Sequence, residues 1–246
     1  MSLEPGPVPF RGSRLAAGML ISGAMIGLVG NALHPHAAGA DAEATMAAIA
    51  ASGAWVAIHF AILTAIILIV GGLIALADTF RGTEGELFWR LGLAAALVGT
   101  AVVTVSTSVD GFGMKAIALD ILNAPSATHA TALAIAVGLR EADFGIWSIG
   151  IVIFFGAAFA SFGTAMVVSR RYERGLGWLA IVGAAGSTVG GMLQIAATGE
   201  TQAAETILLV STILLTVWTF ILGVRVFRNP LMEPRPATPL AAGVRS

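Results

Sequence analysis

The chain has 246 residues, 57% of them hydrophobic and only 11% charged, with a mean hydropathy of +0.90 and a formal net charge of -1. A soluble domain carries about 25% charged residues, so this chain has too few polar side chains to cover a water-exposed surface, and lipid is its natural solvent. The near-neutral charge, with no basic cluster among aromatics, excludes nucleic acid as a partner; the absence of cysteine excludes disulfides, thiolate catalysis and Cys-ligated metals, leaving histidines and carboxylates as the strong metal ligands.

In chain order, residues 1–13 read as a tail in which Pro5, Pro7 and Pro9 break any helix. The first apolar run, Leu15 to Leu33, follows Arg11 and Arg14 and precedes Ala38-Gly39-Ala40, a signal-peptide-like arrangement, but its length favours a retained helix. His34-Pro35-His36 ends it, and Asp41 to Ala51 reads as a short interfacial helix capped by Asp41, with Met46 and Ile49 pointing down. The second span runs from about Ala54 to Ala77 and is followed by a polar turn to Arg90. The third is uncharged from Leu91 to Val109, the fourth from Phe144 to Ser169. The fifth is Gly175 to Gly199, the sixth Thr206 to Val224, and a Pro- and Arg-containing tail follows from about 229 to 246. Each span is near or above the roughly 20 residues that cross the hydrocarbon. The fold expected is an all-α, six-span transmembrane bundle over residues 14–228.

Residues 111–143 are the longest non-spanning stretch. Met114 to Leu122 and Thr128 to Leu139 are helix-like around a turn at Ala124-Pro125-Ser126, and predict either extensions of the third and fourth helices or a folded-back cap. Small residues recur four apart at Gly23 and Gly27 and at Gly186 and Gly190, faces that suit close helix packing, including packing between copies in a homo-oligomer. With the N-terminus inside, Arg11, Arg14, Arg81, Arg90, Arg170, Arg171, Arg174, Arg225, Arg228, Arg235 and Arg245 all fall on the inner side, and only Lys115 and Arg140 fall outside. This bias predicts cytoplasmic N- and C-termini for a multi-pass chain of the cell's inner (plasma) membrane. A short echo, Trp55 through Arg90-Leu91-Gly92 against Trp147 through Arg174 to Leu176-Gly177, hints at duplication.

All four histidines, His34, His36, His59 and His129, fall on the outer side. His59 lies about 7 Å below the start of the second span, where an ionisable group faces a partner or a cavity; a neutral histidine hydrogen-bonded across a helix interface is the competing reading. Trp55 is one turn above it on the same face. Asp110 closes the third span above a stripe of Thr100, Thr104, Ser106 and Thr107, and reads either as a proton donor in an apolar site or as an interfacial carboxylate in water or paired with Lys115. Asp143 opens the fourth span, with Arg140 three residues before it and Trp147 four after. Gln194 and Asn31 add polar groups near the same level.

These residues support four readings. The first is an outward-opening pocket for a lipophilic or amphipathic small molecule, with His59, Asp110 and Asp143 as anchors, Trp55 and Trp147 as walls, and Asn31, Gln194 and Lys115 as further ligand contacts. The second is an intramembrane acid–base enzyme, an isomerase or cyclase, with Asp110 as general acid and His59 or Asp143 as its partner. The third is an outer-face metal or haem site, with His34, His36, His59 and Asp110 as nitrogen and oxygen ligands suited to a first-row metal, although no His-Glu-x-x-His spacing is present. The fourth is a structural subunit of a membrane complex. The cofactor is left unassigned by the sequence.

Three short segments, Leu33-His34-Pro35, Ala54-Trp55-Val56-Ala57-Ile58-His59 and Val109-Asp110-Gly111 with Lys115, form a pattern that resembles a widespread group of bacterial multi-pass membrane proteins classed as a domain of unknown function. The resemblance covers roughly residues 15–225 and implies the helix count but no activity. Membrane-embedded terpene cyclases and sterol isomerases are similar in size and in acid placement alone.

Overall fold

The computed structural model describes residues 12–35, 41–197 and 201–229, and among these there is no strand. The first helix, α1 (Gly12–Leu33), stops where Pro35 forces the preceding residue out of helical geometry. Next, α2 (Ala42–Ala51) begins at Asp41, whose Oδ1 accepts the Ala44 amide at 2.7 Å. The chain re-enters as α3 (Trp55–Ala75), makes a 3₁₀ turn over Ala77–Phe80, and returns as α4 (Glu86–Thr107). A π-helical segment, Ser108–Gly113, joins α4 to α5 (Met114–Leu122). After the Pro125 turn, α6 (Ser126–Gly150), a second π-helical segment Ile151–Ala158 and α7 (Phe159–Ser169) make one rod. Finally α8 (Arg174–Ala197) and α9 (Gln202–Arg228) close the bundle.

Six helical rods among the described residues are long and apolar enough to cross a membrane, so the chain is an all-α multi-pass membrane protein. Two of them, the 37-residue rod Glu86–Leu122 and the 44-residue rod Ser126–Ser169, measure roughly 55 and 65 Å. Both exceed a hydrocarbon core of about 30 Å. The 111–143 stretch thus extends the third and fourth spans, and with α2 it builds a small second core of Met46, Ile49, Trp55, Met114, Ala118, Ile121 and Ala136. Several helices begin earlier than the uncharged windows suggest: α4 at Glu86 and α9 at Gln202. Charged side chains at a helix end can reach the interface while the backbone stays helical.

The main core lies towards the opposite end, where Phe80 stacks on Trp89 at 4.1 Å, Trp89 meets Phe162 at 4.7 Å and Phe159 meets Trp218 at 5.3 Å. Small residues bring the backbones together. A Cβ on Gly23 would sit 2.9 Å from the Ala65 carbonyl oxygen of α3, and one on Gly190 would sit 2.6 Å from Leu208 of α9. Gly186 likewise faces Ser211 of α9. The two glycine stripes read from sequence as close-packing faces thus meet helices of the same chain, α3 and α9. Since α1 packs on α3 and α9, it is an integral member of the bundle.

Candidate functional site

The site forms where α1 ends, α3 begins and α4 gives way to its π-helical extension. Three side chains meet there. His59 Nε2 lies 2.8 Å from Asp110 Oδ2, His34 Nε2 lies 3.2 Å from His59 Nε2, and His34 Nε2 lies 3.9 Å from Asp110 Oδ2. His59 is buried, with 4% of its surface exposed, while the side chains of His34 and Asp110 keep 24% and 34%. The cluster is therefore rooted in the bundle and open on one side.

Local backbone geometry produces this convergence. The π-helical segment adds a residue to the turn at Asp110, and such bulges re-aim side chains at functional sites. Gly111 permits the approach, since a Cβ there would fall 2.6 Å from His59 Cβ and 2.8 Å from its Cγ. Trp55 ties together the elements that carry His59 and Asp110. Its indole N–H donates to the Asp110 carbonyl at 2.9 Å, tying the π segment to α3, and its own carbonyl accepts from His59 Nδ1 at 2.8 Å. Its ring also packs on His34 and His59, with centroids 5.2 and 4.7 Å apart.

The Trp55 carbonyl fixes the proton of His59. A carbonyl can only accept, so Nδ1 carries the hydrogen and the neutral ring presents a lone pair at Nε2. That lone pair faces Asp110 Oδ2 at 2.8 Å, and His34 Nε2 approaches the same point. Atoms this close are held by a shared hydrogen or by a cation between them: His34 Nε2 can donate to His59 Nε2, and a proton or an ion can bridge His59 Nε2 and Asp110 Oδ2.

Asp143 stands behind the cluster. It is 9% exposed, the Ser106 hydroxyl faces it, and it lies near enough to His59 and Asp110 to interact electrostatically with both. Its Oδ1 has no hydrogen-bond partner among the described residues. Other residues proposed from sequence sit elsewhere. The Lys115 ammonium does not pair with Asp110; its three donors go to the carbonyls of Ile49, Ala50 and Ser52 at 2.7–2.9 Å, where they cap the C-terminus of α2. Asn31 is exposed and bonds the Gly27 carbonyl of its own helix. Gln194 is buried between helices and accepts from Ser148 at 3.2 Å, and Trp147 packs on the main core. Thr100 and Thr104 bond back to their own helix, so of the polar stripe below Asp110 these two are satisfied internally. His129 pairs with Glu43 at 3.2 Å, linking α6 to α2. His36 lies outside the described residues.

Gly111 figures in the sequence reading only as part of the Val109-Asp110-Gly111 segment, with no role in shaping the site. Its only sequence signal is the Asp-Gly step, a common turn pair that gives no hint of contact with His59.

No family model, curated protein or solved structure matches this chain. The fold and the site together define a multi-pass helical membrane protein with a two-histidine, one-carboxylate cluster at one end of its bundle.

Proposed function

We propose that this chain is a membrane metalloprotein that binds one divalent first-row transition-metal ion through His34 Nε2, His59 Nε2 and Asp110 Oδ2. The convergence of three potential donor atoms within 4.8 Å of one another, with the Trp55 carbonyl accepting from His59 Nδ1 and so leaving Nε2 to face the cluster, carries this reading. Ligands at 2.0–2.2 Å from an ion stand about 2.9 Å apart in octahedral and about 3.4 Å apart in tetrahedral geometry. The observed 2.8, 3.2 and 3.9 Å bracket those values, and a small inward turn of His34 closes the set. The donors are imidazole and carboxylate, which suit zinc, manganese, iron or cobalt better than thiolate-seeking metals. Three protein ligands leave at least one coordination position free, the arrangement of a site that admits water or substrate. His36 is available in sequence as a further ligand. Histidine–backbone hydrogen bonds of the Trp55 kind are the usual outer support of a ligating imidazole.

A groove beside the site gives that free position a lipophilic small molecule as its partner. Met25, Val29, Gly30 and Leu33 of α1 face Ala57 and Ile58 of α3 around about 450 Å³ of apolar space whose lining includes Leu33, the residue before His34, and Ile58, the residue before His59. A lipophilic molecule lying there would bring its polar end to the ion.

Isothermal titration of the detergent-solubilised chain with Zn²⁺ and with Co²⁺ tests the metal. One ion per chain is expected, with binding lost in His59→Ala and in Asp110→Ala and unaffected in Gln194→Ala. Equal binding by wild type and His59→Ala would overturn the assignment.

A further inference from the structure

The opposite end of the bundle carries a second polar feature, independent of the metal site. The end of α7, the four-residue link to α8 and the last turn of α9 surround a cleft of about 360 Å³ lined by Arg170, Arg171, Tyr172, Glu173, Arg225 and Asn229. Three guanidinium groups thus border it against one carboxylate. Glu173 is engaged by Arg225, through Nε at 3.2 Å and through a second, shorter contact from Nη2. Two positive charges remain in excess.

The backbone holds this concentration of charge in an uncommon conformation. Arg170 is the one described non-glycine residue with a positive φ, 55°, a region disfavoured for residues that carry a Cβ. A glycine or asparagine would make that helix stop more easily, and the arginine's presence sets consecutive guanidinium groups at the cleft mouth. Tyr172 adds no opposing charge, since burial pushes its phenol up to about 12. Its ring is anchored against Phe80 at 5.7 Å, which fixes the link to the core. The N-terminal end of α8 contributes a further positive potential. The cleft lies where three apolar spans terminate, Ser126–Ser169, Arg174–Ala197 and Gln202–Arg228.

We propose that this cleft binds a phosphate oxyanion, presented by the headgroup of an anionic membrane lipid, with Arg170, Arg171 and Arg225 as its donors and Glu173 as a built-in competitor for Arg225. The planar guanidinium fork matches two phosphate oxygens at once. Phosphatidylcholine carries its own cation beside the phosphate, so a cleft with excess positive charge discriminates against it.

The experiment compares the full chain with R170Q/R171Q and E173Q. Each is incubated with phosphatidylglycerol or phosphatidylcholine of identical acyl chains, and retained lipid is read by native mass spectrometry; inorganic phosphate is titrated calorimetrically in parallel. Wild type is expected to retain phosphatidylglycerol at least tenfold better than phosphatidylcholine. The double arginine variant should lose about tenfold of that preference, and E173Q should gain several-fold. Binding of inorganic phosphate with the same variant order, without lipid discrimination, would support the oxyanion site and assign it a soluble source. Equal retention of both lipids with no phosphate binding would overturn the proposal. A loss in E173Q as large as that in R170Q/R171Q would also overturn it, because the cleft would then be responding to packing and not to charge.

Discussion

At the scale of single residues, Gly111 and Trp55 shape the His34–His59–Asp110 cluster by direct contact. Gly111→Ala places a methyl group within 2.6 Å of His59 Cβ, a position that rotamer changes cannot clear. Overpacking of this kind costs about 1–3 kcal/mol, and it should displace His59 from Asp110. The expected outcome is a lower thermal midpoint in detergent together with weaker Zn²⁺ binding. Trp55→Phe keeps the ring but removes the indole donor to the Asp110 carbonyl, and a roughly tenfold loss of metal affinity by titration is expected, in the range usual for supporting shells. Sequence reading could find His59, Asp110 and Trp55, because an ionisable residue inside an apolar span stands out by its cost. It could not separate Lys115, which serves α2, from a ligand-binding lysine, since the distinction depends on where the α2 carbonyls lie. Nor could it tell that Asn31 faces outward while Gln194 faces inward. Both are single polar residues in glycine-rich helices, and only the rotation of each helix decides.

At the scale of elements, the two π-helical segments interrupt the two longest rods. The first sets the direction of Asp110. The second lets Phe154 meet Gly99 of α4, where a Cβ would fall 2.7 Å from Phe154 Cβ. The α2 helix is held by Lys115 and by Met46 and Ile49 in the smaller core. Lys115→Met keeps the aliphatic length and removes three charge-assisted bonds to the α2 terminus. A charged hydrogen bond is worth about 1.5–3 kcal/mol in general, so amide exchange in 42–52 should rise at least tenfold while exchange in α8 stays unchanged. Unchanged protection of α2 would show that the smaller core alone holds it. Helix number and approximate limits were legible in the sequence because spans are marked by length and by lack of charge. The π segments were not: one extra residue per turn leaves hydropathy intact, and its effect appears only in the direction a side chain takes.

At the scale of the whole molecule, the two ends of the bundle differ in kind. One gathers His34, His59, Asp110 and Asp143; the other gathers the arginines of the α7–α8 link and the α9 terminus. The arginine asymmetry that is visible in the sequence supports cytoplasmic placement of that end. The cysteine-free chain allows a direct check. Gly53→Cys, at a position with open space around it, should react with an impermeant maleimide on intact cells, and Arg81→Cys should react only after lysis. The opposite pattern would invert the topology and put the metal site inside. Metal at one hundred times its dissociation constant should also stabilise the fold by about 2.7 kcal/mol.

The central claim is that His34, His59 and Asp110 hold a metal ion, and elemental analysis of the full chain, purified without chelator or affinity metal, tests it most directly. Near one equivalent of a first-row transition metal in wild type, falling to background in His59→Ala and Asp110→Ala prepared in parallel, is the result expected. Background metal in wild type that stays at background after dialysis against micromolar Zn²⁺, Mn²⁺, Fe²⁺ and Co²⁺ would contradict it, and the cluster would then be a proton-linked His–Asp pair.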